Sequence, residues 1–213
     1  MNTSCFLFDL DGTVTDPGIG ITNSVMYALH KFGIEETDRE KLYRFIGPPL
    51  AESFEEFYGF SKLSAVLAVD YYRKYYTEKG IFENRMYDGM EQLLSALHEQ
   101  GKMVVLATSK PEVYARQILK HFQIDHYFHF VSGSCLDGGR TDKAEVIAHA
   151  LEQCSPDSAV MIGDRKHDVI GARKCGLDCI GVVYGYGSRK ELIDAGAKWV
   201  VEHVPALKAL LLG

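Results

Sequence analysis

Asp9 and Asp11 stand two residues apart in Asp9-Leu10-Asp11-Gly12-Thr13, directly behind the apolar run Cys5-Phe6-Leu7-Phe8. Two carboxylates at that spacing can approach one reacting centre from neighbouring positions, one as nucleophile and one as proton donor and acceptor. Gly12 permits the tight turn this requires. An Asp-Gly pair is equally an ordinary surface turn, so the segment alone leaves both readings open. Three further groups complete a set. Thr108-Ser109-Lys110 follows the apolar run 103–107, and Gly163-Asp164-Arg165-Lys166-His167-Asp168 follows 159–162. Lys143 falls in the first turn of the helix expected after Thr141. Four carboxylates at one place repel one another unless a cation joins them, and Mg²⁺, which takes oxygen ligands, suits them.

The elements that must position these residues are legible as a change of rhythm. Short apolar runs at 5–8, 103–107, 128–131, 159–162, 179–183 and 199–201 read as strands. Helical periodicity between them, at 90–100, 112–121, 142–153, 168–174 and 205–211, gives the alternation of βαβ units and a mostly parallel sheet. Ligands of such sheets bind beyond the carboxyl ends of the strands, where every group named above falls. From Gly18 to about Gly80 the pattern is helical only, with helices expected over 19–32, 38–45, 50–58 and 61–79. Gly47-Pro48-Pro49 breaks the second from the third. The tyrosines of Tyr71-Tyr72-Arg73-Lys74-Tyr75-Tyr76 read as helix packing with polar tips at the surface.

The chain has 213 residues, 46% hydrophobic and 24% charged, with a formal net charge of −6. That is an ordinary globular composition, and its charge speaks against nucleic acid polymers as partners. No apolar segment approaches a membrane span and residues 1–4 lack the character of a signal peptide, so a cytoplasmic location is expected. The five scattered cysteines are no disulfide framework, and Cys175 and Cys179 lack the second ligand pair of a zinc site.

Asp9-Leu10-Asp11-Gly12-Thr13, Thr108, Lys143 and Gly163-Asp164 through Asp168 resemble, in order and across the chain, the four motifs of the haloacid dehalogenase superfamily. The likeness is greatest to its phosphoglycolate phosphatase-like branch. The fold it implies is α/β: a Rossmann-like three-layer core with a mostly parallel sheet, formed by 1–15 and 84–213, and an inserted all-helical cap domain at 16–83. The resemblance implies Asp9 as nucleophile and Asp11 as acid and base. Thr108 and Ser109 would hold the phosphoryl oxygens, with Gly12, Thr13 and Lys110 beside them, and Lys143 would neutralise charge. Mg²⁺ would be held by Asp9, the Asp11 carbonyl, Asp164 and Asp168. Relatives that carry lysine and proline at the third motif differ from Arg140-Thr141-Asp142-Lys143-Ala144 here, so Arg140 competes with Lys143 for that role. Asp168 can also be read as a helix cap alone, and Arg44, the expected cap contact to substrate, as a solvated helix-end arginine.

The activity so implied is a Mg²⁺-dependent phosphatase acting on a small phosphorylated metabolite through an aspartyl-phosphate. Phosphoglycolate or a nucleoside 5′-monophosphate is the first expectation. The alternatives are an inorganic pyrophosphatase, a β-phosphoglucomutase-like phosphosugar mutase and a phosphometabolite-binding regulatory protein. Dehalogenases of the superfamily lack a carboxylate at the place of Asp11, which argues for phosphoryl transfer. Neither a membrane nor nucleic acid is expected as a partner, and the chain is expected as a monomer or small homo-oligomer.

Overall fold

Phe6, Leu7 and Phe8 are almost wholly shielded from solvent on both sides of the strand they form. A strand with no polar face belongs in the middle of a parallel sheet covered by helices, and each such side chain contributes about 1.5–3 kcal/mol relative to exposure. A computed structural model describing residues 3–137 and 139–213 places it there. In chain order the elements are β1 (Cys5–Phe8), β2 (Thr15–Asp16), α1 (Gly18–His30), α2 (Arg39–Leu42), α3 (Leu50–Tyr58), α4 (Lys62–Tyr75) and β3 (Arg85–Met86). They continue with α5 (Met90–Glu99), β4 (Met103–Pro111), α6 (Glu112–His121), β5 (Phe130–Ser134), α7 (Lys143–Cys154), β6 (Ala159–Gly163) and α8 (Lys166–Lys174). The last are β7 (Asp178–Val182), α9 (Arg189–Ala195), β8 (Trp199–Val201) and α10 (Val204–Leu212).

Six strands form one sheet in the order β5-β4-β1-β6-β7-β8, and every pairing described is parallel. Phe8 is in register with Leu106 of β4 on one side and with Ile162 of β6 on the other. Phe8, Leu106 and Ile162 therefore stand at one level across the three central strands. Cys5, Leu7, Val105, Ala107, Met161 and Cys179 pack on one face against Val146, Ile147 and Ala150 of α7, Val169 and Ala172 of α8 and Leu192 of α9. The alternate residues Phe6, Phe8, Val104, Leu106, Val160 and Ile162 are equally buried. The α/β class expected from the sequence is what the chain forms.

Two compact units divide the chain: Met1–Asp16 with Met86–Gly213, and Pro17–Arg85. The second unit is helical, and a close approach joins its first and last segments. A Cβ on Gly20 would lie 1.9 Å from the carbonyl oxygen of Gly80, and the Gly20 N–H donates to Glu83 O at 2.9 Å. Tyr72 and Tyr76 stack with ring centroids 5.4 Å apart and both are buried; the Tyr76 hydroxyl is buried too, so it is not the surface tip expected from the sequence.

Several boundaries differ from the sequence reading for identifiable reasons. The strand expected at 128–131 runs over Phe130–Ser134, because a 3₁₀ turn at Asp125–Tyr127 occupies its approach and Ser132-Gly133-Ser134 joins the ladder. β4 continues to Pro111 across an irregularity after Ala107, so Thr108-Ser109-Lys110 lies in the strand's end and not in a loop. The expected helix 61–79 becomes α4 followed by a π-helical turn, Tyr76–Gly80. The expected helix 38–45 splits into α2 and a 3₁₀ turn, Tyr43–Phe45. α9 and the two-residue strands β2 and β3 were not anticipated.

Candidate active site

Asp9 follows β1 directly and continues its ladder, its N–H donating to Ile162 O at 2.9 Å. The chain then folds tightly: the N–H groups of Thr13, Val14 and Thr15 all point to Leu10 O, at 3.2, 2.9 and 2.9 Å, and Gly12 N donates to Thr15 O at 2.7 Å. Gly12 has φ of +85°, and a Cβ there would lie 2.1 Å from Asp164 Oδ2. Residue 12 therefore needs glycine twice, for its backbone and for the carboxylate beside it.

Asp142 caps α7, accepting from Ala144 N at 2.7 Å, and so makes Lys143 the first helical residue. The Lys143 stem runs past Gly171 of α8, where a Cβ would come within 2.8 Å of Lys143 Cγ. Its Nζ stands 2.9 Å from Asp9 Oδ1 and 2.8 Å from Asp168 Oδ1 and donates to Ala107 O at 3.1 Å. The Lys143 side chain is only 4% exposed, so the two ion pairs are poorly screened. Burial opposes its charge, but the carboxylates of Asp168 and Asp9 outweigh burial and raise its pKa. Arg140 is turned elsewhere: its Nε donates to Gly133 O at 2.9 Å and its guanidinium lies 3.5 Å from Glu112 Oε2.

Asp9, Asp164 and Asp168 each offer a carboxylate oxygen within 4.8 Å of the other two, and all three residues are buried. Asp168, in the first turn of α8, accepts from Arg165 N at 3.0 Å through Oδ2. It is therefore a helix cap and a partner of Lys143 together. Asp164 accepts from Tyr186 N at 2.7 Å through Oδ2, while its Oδ1 accepts no hydrogen bond among the described residues. Burial, then Asp168 and Asp9, push the Asp164 carboxyl well above its ordinary range, and burial raises Asp168 to about 6. An orphaned carboxylate oxygen beside two more carboxylates is a costly arrangement for a bare protein. It fits a hard divalent cation, which takes such oxygens as ligands.

Asp11 pairs with Lys110, whose Nζ lies 2.5 Å from Asp11 Oδ2. Burial raises the Asp11 pKa against the pull of Lys110. The structure thus sets Lys110, read from sequence as a phosphate contact, against a carboxylate. Thr108 is buried at the end of β4, and its Oγ1 accepts from Lys110 N at 3.3 Å. Ser109 stands beside it in the same strand end. In the helical unit, Arg44 lies over the Phe57 ring at 4.2 Å from its centroid.

One element of the site escaped the sequence reading. The segment Tyr184-Gly185-Tyr186-Gly187 after β7 supplies the N–H that holds Asp164 Oδ2, and Tyr184 OH donates to Thr13 O at 3.1 Å. A Cβ on Gly185 would lie 2.2 Å from Gly12 O, and one on Gly187 only 1.8 Å from Asp164 O. Two glycines spaced around an aromatic after a strand were the available signal. Gly187→Ala forces backbone against backbone and is expected to destabilise by roughly 1–3 kcal/mol, read as a lowered midpoint in urea.

A parallel sheet that gathers Asp9, Thr108, Lys143, Asp164 and Asp168 at one edge belongs to a defined class. A family profile for haloacid dehalogenase-like hydrolases matches residues 6–182, and the chain belongs to that family, as a phosphatase. A 5′-nucleotidase of Pseudomonas aeruginosa is 50% identical over 188 residues, 87% of this chain and 85% of that protein. The tyrosine-protein kinase PtkA of Mycobacterium tuberculosis is 39% identical, over 96% of this chain and 70% of its own length. The crystal structure of a predicted phosphatase from Clostridium acetobutylicum matches with a TM-score of 0.95 at 50% identity, covering 99% of this chain and 98% of that one. Phosphoglycolate phosphatases are among the more distant relatives. No helix among the described residues is long and apolar enough to cross a membrane.

Proposed function

We propose that this phosphatase hydrolyses nucleoside 5′-monophosphates through an aspartyl-phosphate on Asp9. The observation that carries the mechanism is the bridging of Asp9 and Asp168 by the buried ammonium of Lys143, which holds the carboxyl group at the end of β1 in place beside a cation. An Asp9 oxygen attacks phosphorus, the bond from phosphorus to the leaving oxygen breaks, and Asp11 gives that oxygen its proton. Asp11 then takes a proton from the water that attacks the phosphoryl group, and phosphate departs with Asp9 restored. Thr108 and the Ser109 N–H hold the phosphoryl oxygens, with Gly12 and Thr13 lining the turn beside them, and Lys143 offsets the charge that gathers on them.

Mg²⁺ held by Asp9, Asp164, the Asp11 carbonyl and Asp168 would supply Lewis-acid neutralisation of the transferring group. Asp164 Oδ1, which accepts no hydrogen bond among the described residues, supports that assignment. The helical unit is assigned the role of a cap that selects the substrate, with Arg44 as its candidate contact. The nucleotide assignment is supported by the relative named 5′-nucleotidase at 50% identity.

The test is phosphate release from nucleoside 5′-monophosphates, phosphoglycolate, pyrophosphate and a hexose phosphate, with Mg²⁺ and with a chelator in its place. Nucleotide hydrolysis is expected to exceed the others by about tenfold or more, a difference of at least ~1.4 kcal/mol in transition-state binding, and to vanish with the chelator. Preference for phosphoglycolate or pyrophosphate would reassign the substrate. Conversion of the sugar phosphate only with a bisphosphate present would mark a mutase, and no turnover of any compound a binding protein.

A further inference from the structure

We propose that Lys110 is the positioning residue for the general acid and base: its ammonium group grips one oxygen of Asp11 so that the other faces the leaving oxygen. The inference rests on the acid role assigned to Asp11 above. Lys110 comes from the end of β4 and Asp11 from the turn after β1, 99 positions earlier, and the pair is Nζ to Oδ2. The Lys110 side chain is 6% exposed and that of Asp11 14%, so water competes little for either. Asp11 Oδ1, by contrast, is buried and accepts no hydrogen bond among the described residues. One oxygen is held and one is left for chemistry.

The backbone of Asp11 is already fixed by the tight turn, with Gly12 N bonded to Thr15 O and Asp11 bridged to Thr15. What remains free is the rotation of its carboxyl group. A proton donor must stand within about 2.6–3.2 Å of the oxygen it serves, so that rotation decides whether Asp11 works. Lys143 cannot perform this service, because its Nζ is engaged by Asp9, Asp168 and Ala107 O. The irregularity of β4 between Ala107 and Pro111 falls where Lys110 stands, and the Lys110 N–H is drawn to Thr108 Oγ1. The distortion of the strand and the ion pair are found at the same residue. The two buried lysines divide the site: Lys143 serves the nucleophile, Lys110 the acid.

The test compares Lys110→Met, Lys110→Arg and Asp11→Asn in the full chain with Mg²⁺, in a rapid-quench first turnover that reads release of the leaving group. Two substrates are used: the alkyl phosphate hydrolysed fastest in the panel above, whose alkoxide needs a proton, and p-nitrophenyl phosphate, whose phenolate does not. Lys110→Met is expected to slow the alkyl substrate about 30-fold or more and the aryl substrate less than about threefold, since general acid catalysis is worth 10²–10⁴-fold. Inhibition by inorganic phosphate should stay unchanged, and Lys110→Arg should recover most of the alkyl rate. The ratio between substrates is read within one preparation, so a loss of folded protein cancels. Equal loss on both substrates, or weaker phosphate inhibition, would mean that Lys110 touches the phosphoryl group and would overturn the inference while Asp11→Asn still shows the leaving-group dependence. Equal loss in Asp11→Asn as well would overturn the acid role and this inference with it.

Discussion

Asp9→Asn should reduce phosphate release by about 10⁴-fold or more while the protein stays folded. The amide nitrogen and oxygen cannot attack phosphorus as a carboxylate does, so no aspartyl-phosphate can form. The fold should tolerate the change because it removes one of three crowded carboxylates and leaves Lys143 its partner Asp168, 2.8 Å away. Acid-quenched reactions with labelled substrate should show phosphate on the wild-type protein and none on the variant. Turnover within tenfold of wild type would remove Asp9 from the role of nucleophile.

Lys143→Met should act on stability as strongly as on catalysis. The ammonium is the shared counter-charge of Asp9 and Asp168, and Asp164 adds a third carboxylate within reach. Removing one partner of a buried ion pair leaves uncompensated charge, at about 3–5 kcal/mol. The midpoint in urea should fall accordingly, and Mg²⁺ should restore part of the loss by replacing the missing positive charge, since a ligand that binds only the folded state stabilises it. A loss below about 1 kcal/mol without metal would show that the lysine bridge does not hold this cluster together. Lys143→Met should also lose phosphate release, because neither the nucleophile nor the transferring group is neutralised.

What could be read from the sequence were the places where local chemistry is strong. Apolar runs that stop at a carboxylate, a hydroxyl or a glycine announced β1, β4, β6 and their neighbours; the positions of Asp9, Thr108 and Asp164 follow from where those runs end, and that of Lys143 from the helix start after Thr141. The same cues misplaced β5, since Ser132-Gly133-Ser134 has the composition of a turn, and only pairing with β4 makes it a strand. α9 lies between glycine-containing segments and buries a single residue, Leu192, too little for a periodic signal. The Tyr186 N–H on Asp164 and the Lys110 ion pair with Asp11 join residues 22 and 99 positions apart. Such contacts are set by how the strands lie side by side, which the spacing of residue types does not encode. Arg140 and Lys143 compete by type, and the helix start favours Lys143. The Asp142 cap and the close passage of the Lys143 stem by Gly171 are how the fold realises that preference.

The central place of β1 has a consequence for how the chain comes to be folded. β1 precedes in sequence every strand it pairs with, and β6, on one of its flanks, starts 151 positions after Phe8, at Ala159. At a synthesis rate of about 5–20 residues per second, that interval lasts roughly 8–30 s. Through it a strand of buried apolar residues has β4 as its earliest partner and an open edge on the other side, the kind of edge on which unfinished chains associate. β1 is therefore the first strand to be made and the one that waits longest for its second neighbour, so the yield of active protein should depend on what shields Cys5–Phe8 during synthesis.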